Sequence, residues 1–157
     1  MVYVIAKLEK SARARLSWIQ SFAASFGIVP KPIYGHIVLA AISGSNASTI
    51  SACKDALEGQ KPFAVDFEKV EVLDDRKTIA AVAARQGTLE AIHEKLAPGG
   101  EDWIPCTILL QDPMVNMNWV RTAMAGMFQP FTAKVERIEL MEGSEIVGGF
   151  DLKGETV

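Results

Sequence analysis

Apolar and polar positions change period repeatedly along the chain, and each change marks an element. Val2 to Glu9 opens on the apolar run Val2-Tyr3-Val4-Ile5 and predicts a strand. Leu16, Ile19, Phe22 or Ala23, and Phe26 then recur at helical spacing, which predicts an amphipathic helix capped by Ser11 and stopped by Gly27. Pro30-Lys31-Pro32 cannot continue a helix, and Tyr34 to Ile42 returns to the strand pattern. Ser45 or Asn46 can cap a second helix that shows Ile50, Cys53 and Leu57 on one face and closes at Gly59. Pro62 to Leu73 alternates at Phe63, Val65 and Phe67 and predicts a third strand.

After the turn Asp74 to Lys77 the order begins again. Thr78 to Ala84 predicts a strand, Thr88 a cap for a helix bearing Leu89, Ile92 and Leu96, and Pro98-Gly99-Gly100 its end. Ile104 to Gln111 is the next strand. Asp112-Pro113 places an Asp cap before a first-turn proline, and the helix displays Met117, Val120, Met124, and Met127 or Phe128. Strands Phe131 to Met141 and Ser144 to Leu152 close the pattern around a Glu142-Gly143 turn. The class is α/β (α+β), with β-α-β-α-β written twice and a strand added. No linker interrupts it, so the expectation is one domain over 1–157, with pseudo-repeat lobes of about 1–75 and 76–157 sharing a core.

Composition narrows this picture. A chain of 157 residues, 49% apolar and with net charge -3, suits one globular domain with a full core. The apolar runs Ile37 to Ile42 and Ile108 to Leu110 fall far short of the roughly 20 residues of a membrane helix. Met1 to Ile5 has no basic segment before it, so no signal peptide and no membrane partner are expected, and the setting reads as cytoplasmic. Cys53 and Cys106 have no zinc-like spacing. They read as small hydrophobes in a reducing environment, with no metal and no cofactor. The acidic balance argues against strong binding to duplex nucleic acid, and Lys7, Lys10, Arg13 and Arg15 read as a solvated helix start.

Candidate chemistry sits on the second strand of each half. His36, Val38 and Ala40 share one face; Pro105 and Thr107 share one face of the matching strand. A histidine with a hydroxyl two residues on would set an acid-base group beside a hydrogen-bond donor for phosphate, and here each strand holds half of that pair. Tyr34 and Trp103 precede the two strands, placed either to stack on a base or ribose or to pack at the rim of the core. His93, beside Ile92 on a helix, reads as structural or solvent-facing.

Gly35-His36-Ile37-Val38-Leu39-Ala40 and Trp103-Ile104-Pro105-Cys106-Thr107-Ile108-Leu109 resemble the duplicated His-x-Thr/Ser-x signature of the two-histidine phosphoesterase superfamily. That superfamily includes bacterial RNA ligase-like proteins and cyclic phosphodiesterases. The resemblance spans essentially the whole chain, with softer matches at Leu89 to Leu96, Val135 to Leu140 and Gly148 to Leu152. It implies a bilobal fold with a central cleft between two antiparallel sheets. Val38 stands where the family places a hydroxyl, and the second segment looks like Trp-x-Pro-His-Cys-Thr with its histidine deleted. Two registers follow: Pro105 replaces the histidine and Thr107 enters the cleft, or the strand shifts by one and Cys106 enters it.

In the family one histidine acts as general base and the other as general acid, while the hydroxyls hold phosphate oxygens. The resemblance thus implies His36 as the catalytic candidate, Thr107 as a phosphate contact, and Tyr34, Val38, Trp103 and Pro105 as cleft lining. Loss of one acid-base partner costs about 10²–10⁴-fold in rate. The resulting expectation is a degenerate active site that binds a phosphate-bearing ligand, a nucleotide or an RNA end, with little or no catalysis. Two alternatives stand beside it: a weak cyclic nucleotide phosphodiesterase using His36, and a non-catalytic protein-interaction module.

Overall fold

The computed structural model describes residues 1–29, 31, 35–44, 46–99, 102–111 and 116–154. The strands are β1 (Val2–Leu8), β2 (His36–Ile42), β3 (Phe63–Val72), β4 (Thr78–Ala83), β5 (Cys106–Gln111), β6 (Phe131–Glu142) and β7 (Glu145–Asp151). The α-helices are α1 (Lys10–Gln20), α2 (Asn46–Ala56), α3 (Gly87–Leu96) and α4 (Met117–Met127), and the stretch expected to continue α1 to Gly27 tightens into a 3-10 helix over Ser21–Phe26. Among the described residues no helix is long and apolar enough to cross a membrane.

The strands pair antiparallel in the order β2-β1-β6-β3-β4-β5, with β7 also on β6. This order is a palindrome: exchanging β1 with β4, β2 with β5, and β3 with β6 returns it unchanged. The first half of β6 pairs with β3 (Phe63↔Val135, Phe67↔Phe131), and its second half lies between β1 and β7. Strands from early and late in the chain are therefore mixed within one seven-stranded antiparallel sheet, where two sheets are expected from the resemblance, and the ends of the order, β2 and β5, meet each other.

One face of the sheet is covered by helices. Leu16, Ile19, Ile92, Val120 and Met124 pack there with Ile37, Leu39, Phe63, Phe67 and Ile138 in one buried cluster that also holds Cys53. Burying each large aliphatic or aromatic side chain of this kind stabilises the fold by about 1.5–3 kcal/mol. The period-2 alternation of β3 and the helical stripe of α4 both resolve onto this face, as their sequence patterns predict.

Two helix starts differ from the sequence expectation. α1 is capped at Glu9, not Ser11, because the Glu9 N–H donates to Lys134 O at 3.0 Å and its carboxylate accepts from the Lys134 N–H at 3.1 Å. That double tie to β6 fixes the reversal of the chain before Ser11 is reached. α3 is capped at Gln86, leaving Thr88 inside the first turn. There Arg85 Nε meets Glu90 Oε2 at 2.6 Å and binds the entering chain to the helix. Asn116 caps α4 by accepting from the Trp119 N–H. The expected start at Asp112-Pro113, the Ser45 or Asn46 cap and Tyr34 lie outside what the structure describes.

Gly35 shows why the chain can enter β2 where it does. Its φ is +64°, and a Cβ there would come within 2.2 Å of Arg13 Cγ, so the bare backbone lets α1 lie against the start of the strand.

Candidate functional site

The face of the sheet turned away from the described helices, called the open face below, carries the candidate chemistry. Pairing aligns His36 with Lys7, and Lys7 with Arg137, so these three side chains stand on one face across β2, β1 and β6. Glu139 and Asp151 join them. Glu139 is buried and lies 3.3 Å from Lys7 Nζ and 3.8 Å from Arg137 Nε, while Arg137 Nη1 meets Asp151 Oδ1 at 2.9 Å. Gly149, opposite Glu139 on β7, makes room for this arrangement: a Cβ there would lie 2.8 Å from Arg137 Nη2.

His36 is half-buried, and burial holds its imidazole below the ordinary value of 6.5, with the charge of Glu139 pulling it partly back. At neutral pH the ring is uncharged and able to accept a proton. Val38 lies two residues along β2 on the same face, aligned with Ile5, and offers no hydroxyl.

On β5 the register resolves the two possibilities that the sequence leaves open. Cys106 pairs with Val82, which pairs with Lys69; Thr107 pairs with Ala81, which pairs with Val70. Val70 and Ala81 belong to the buried cluster under the helices. Cys106 and Ile108 therefore share the open face with His36, and Thr107 turns away from it. Burial pushes the Cys106 thiol up.

Thr107 instead spans the seam between the two edge strands. Its hydroxyl donates to His36 O at 2.8 Å, and only 2% of the residue is exposed. Trp103 does similar work one step along: its indole N–H donates to Val38 O at 2.8 Å. The Trp103 ring stacks on His93 with centroids 3.9 Å apart and carries the Arg85 guanidinium at 5.4 Å, which occupies it with packing. Pro105 is buried, and its carbonyl accepts from Ala83 N–H at 2.9 Å. His93 is structural: it is 3% exposed and donates from Nδ1 to Leu39 O at 2.6 Å.

His36, Val38 and Cys106 are thus brought to one face, while Thr107, Trp103 and Pro105 belong to the packing behind and beside it. Sequence reading missed the Lys7–Glu139–Arg137–Asp151 group. Its signal was the alternation of charged Arg137 and Glu139 with apolar Ile138 and Leu140 on β6. Two other grooves, one bordered by Asp74, Arg76 and Asn116 and one by Lys54, Glu58 and Phe150, have no histidine or cysteine among their described lining residues. No group of three metal-ligating side chains occurs among the described residues.

The same architecture recurs in solved structures. TT0787 of Thermus thermophilus matches with a TM-score of 0.69 and 14% identity, covering 98% of each chain. LigT of E. coli, in apo form, matches with a TM-score of 0.61 and 15% identity, over 97% of this chain and 94% of that one. Usb1 of Kluyveromyces marxianus, solved with uridine monophosphate, matches with a TM-score of 0.52 and 12% identity, over 96% and 97%. By sequence, no protein-family model and no curated protein matches the chain.

Proposed function

Because this chain carries the fold of the two-histidine phosphoesterase superfamily, we propose that it binds a phosphate-bearing ligand, a nucleotide or an RNA end, at the open face around His36, with little or no turnover. One observation carries the reading: an imidazole, the one on this face among the described residues, stands beside Lys7 and Arg137, which are ion-paired to Glu139 and Asp151, and the matching strand presents Cys106 and Ile108. Cations and a hydrogen-bonding ring suit an anionic oxygen. Hydrolysis of a phosphodiester calls for a base and an acid acting together, and among the described residues this face carries one imidazole. The nucleotide in the Usb1 structure supports choosing uridine monophosphate as the first probe.

Titration of the protein with uridine monophosphate, followed by NMR of the His36 ring and by calorimetry, tests the reading. Saturable binding is expected, weakened at least tenfold in His36→Ala. Absence of binding, or equal affinity in the variant, overturns it.

The uncharged state of His36 favours one second reading, a slow cyclic nucleotide phosphodiesterase in which the ring takes a proton from water. Turnover of a nucleoside cyclic phosphate that disappears in His36→Ala would establish it over simple binding.

A further inference from the structure

The two edge strands each contain a bulge, and the bulges put the halves in register. Between β1 and β2, Val4 faces Ala40 and Ile5 faces Val38, so Leu39 is the extra residue. Between β4 and β5, Ile79 faces Leu110 and Ala80 faces Ile108, so Leu109 is the extra residue. Each extra residue turns its carbonyl out of the ladder, where it would be left without a partner. Each carbonyl is met by the first helix of the other half. His93 of α3 donates to Leu39 O at 2.6 Å, and Gln20 of α1 donates to Leu109 O at 2.8 Å. The sheet order is unchanged by the same exchange of halves.

Moving back from each bulge by the same number of residues reaches His36 in β2 and Cys106 in β5. Both start their strands, both are half-buried, and both stand on the face away from the helices. The seam between them is narrow, since the neighbour of Cys106, Thr107, reaches the carbonyl of His36 itself.

We infer that Cys106 is the second side chain of the His36 site, placed as its two-fold counterpart, and that its thiol contacts the anionic oxygens of a phosphate-bearing ligand held at His36. The ligand half of this inference rests on the function proposed above; the pairing of the two residues does not. A thiol is a small, weak hydrogen-bond donor. Burial keeps this one protonated at neutral pH, so it brings no charge to repel a phosphate.

Three measurements on the full chain test it, with folding of each variant checked by circular dichroism. First, Cys106→Asp without ligand: a carboxylate facing His36 should raise the NMR titration midpoint of the ring by about one pH unit. An unmoved midpoint overturns the pairing, whether or not any ligand binds. Second, uridine monophosphate affinity: Cys106→Ser should stay within about threefold of wild type, and Cys106→Asp should lose at least tenfold by charge repulsion. Third, iodoacetamide labelling read by mass spectrometry: saturating uridine monophosphate should slow labelling of Cys106 at least threefold. Cys53, 1% exposed in the core, is the internal reference. Binding of uridine monophosphate that leaves labelling unchanged and tolerates Cys106→Asp overturns the thiol contact. A wild type that binds no uridine monophosphate overturns the phosphate reading, and the first measurement still decides the pairing.

Discussion

Thr107 donates its hydroxyl to the backbone carbonyl of His36 at 2.8 Å, so the group that a sequence reading aims at a ligand closes the seam between the edge strands β2 and β5. Removing the donor takes this part-buried hydrogen bond from the His36 carbonyl, which costs about 1–3 kcal/mol. Thr107→Val should therefore lower the unfolding free energy by that amount, and Thr107→Ser should recover most of it. Chemical denaturation followed by circular dichroism measures both. A Val variant as stable as wild type would show that the contact contributes nothing.

The titration of His36 offers a second expectation. Burial lowers its midpoint below 6.5, and Glu139 opposes that shift, so Glu139→Gln should lower it further. The sign of the stability effect follows. Between the folded midpoint and 6.5 the unfolded chain holds a proton that the folded chain lacks, so stability rises with pH through that window and falls as acid is added. His36→Gln should flatten this slope. NMR titration and denaturation at several pH values check the two halves of the prediction.

His93 separates packing from hydrogen bonding. His93→Phe keeps a flat ring against Trp103 but loses the N–H that meets Leu39 O. A loss of about 1–3 kcal/mol is expected. Gln20→Leu should cost a similar amount through Leu109 O. Thermal melts of each single variant test this.

Gly149→Ala probes the charged group on β6. The added methyl would lie 2.8 Å from Arg137 Nη2 and 2.9 Å from Ile138 O. Because a backbone oxygen cannot yield as a side chain can, a destabilisation of about 1–3 kcal/mol is expected. Arg137 should also be displaced from Glu139, which a shift of its side-chain NMR signals would report.

The strands and helices were legible because their patterns have clear periods: Phe63, Val65 and Phe67 alternate into the core, and Met117, Val120 and Met124 line one side of α4. The pairing of strands was less so. Nothing near Phe63 in the sequence tells of Val135, its partner in β6. The candidate site was half legible. His36 stands on the expected face, while the face of β5 depended on a register that alternation alone leaves undecided between Thr107 and Cys106. The bulges at Leu39 and Leu109 were invisible, since an unpaired strand residue has the same apolar identity as a paired one. The helix starts at Glu9 and Gln86 were missed because a tie to β6 and an Arg85–Glu90 pair outweighed the local preference for Ser11 and Thr88 as caps.

The seam has a consequence for how such a molecule can change over generations. Thr107, Trp103, His93 and Gln20 hold the edge strands from behind and from the side, whereas His36 and Cys106 begin those strands on the opposite face. The contacts that hold the strands and the candidate site thus draw on separate sets of side chains. A mutation that exchanges one of these two side chains for another leaves every strut in place, so the scaffold can persist while the groups on its open face change.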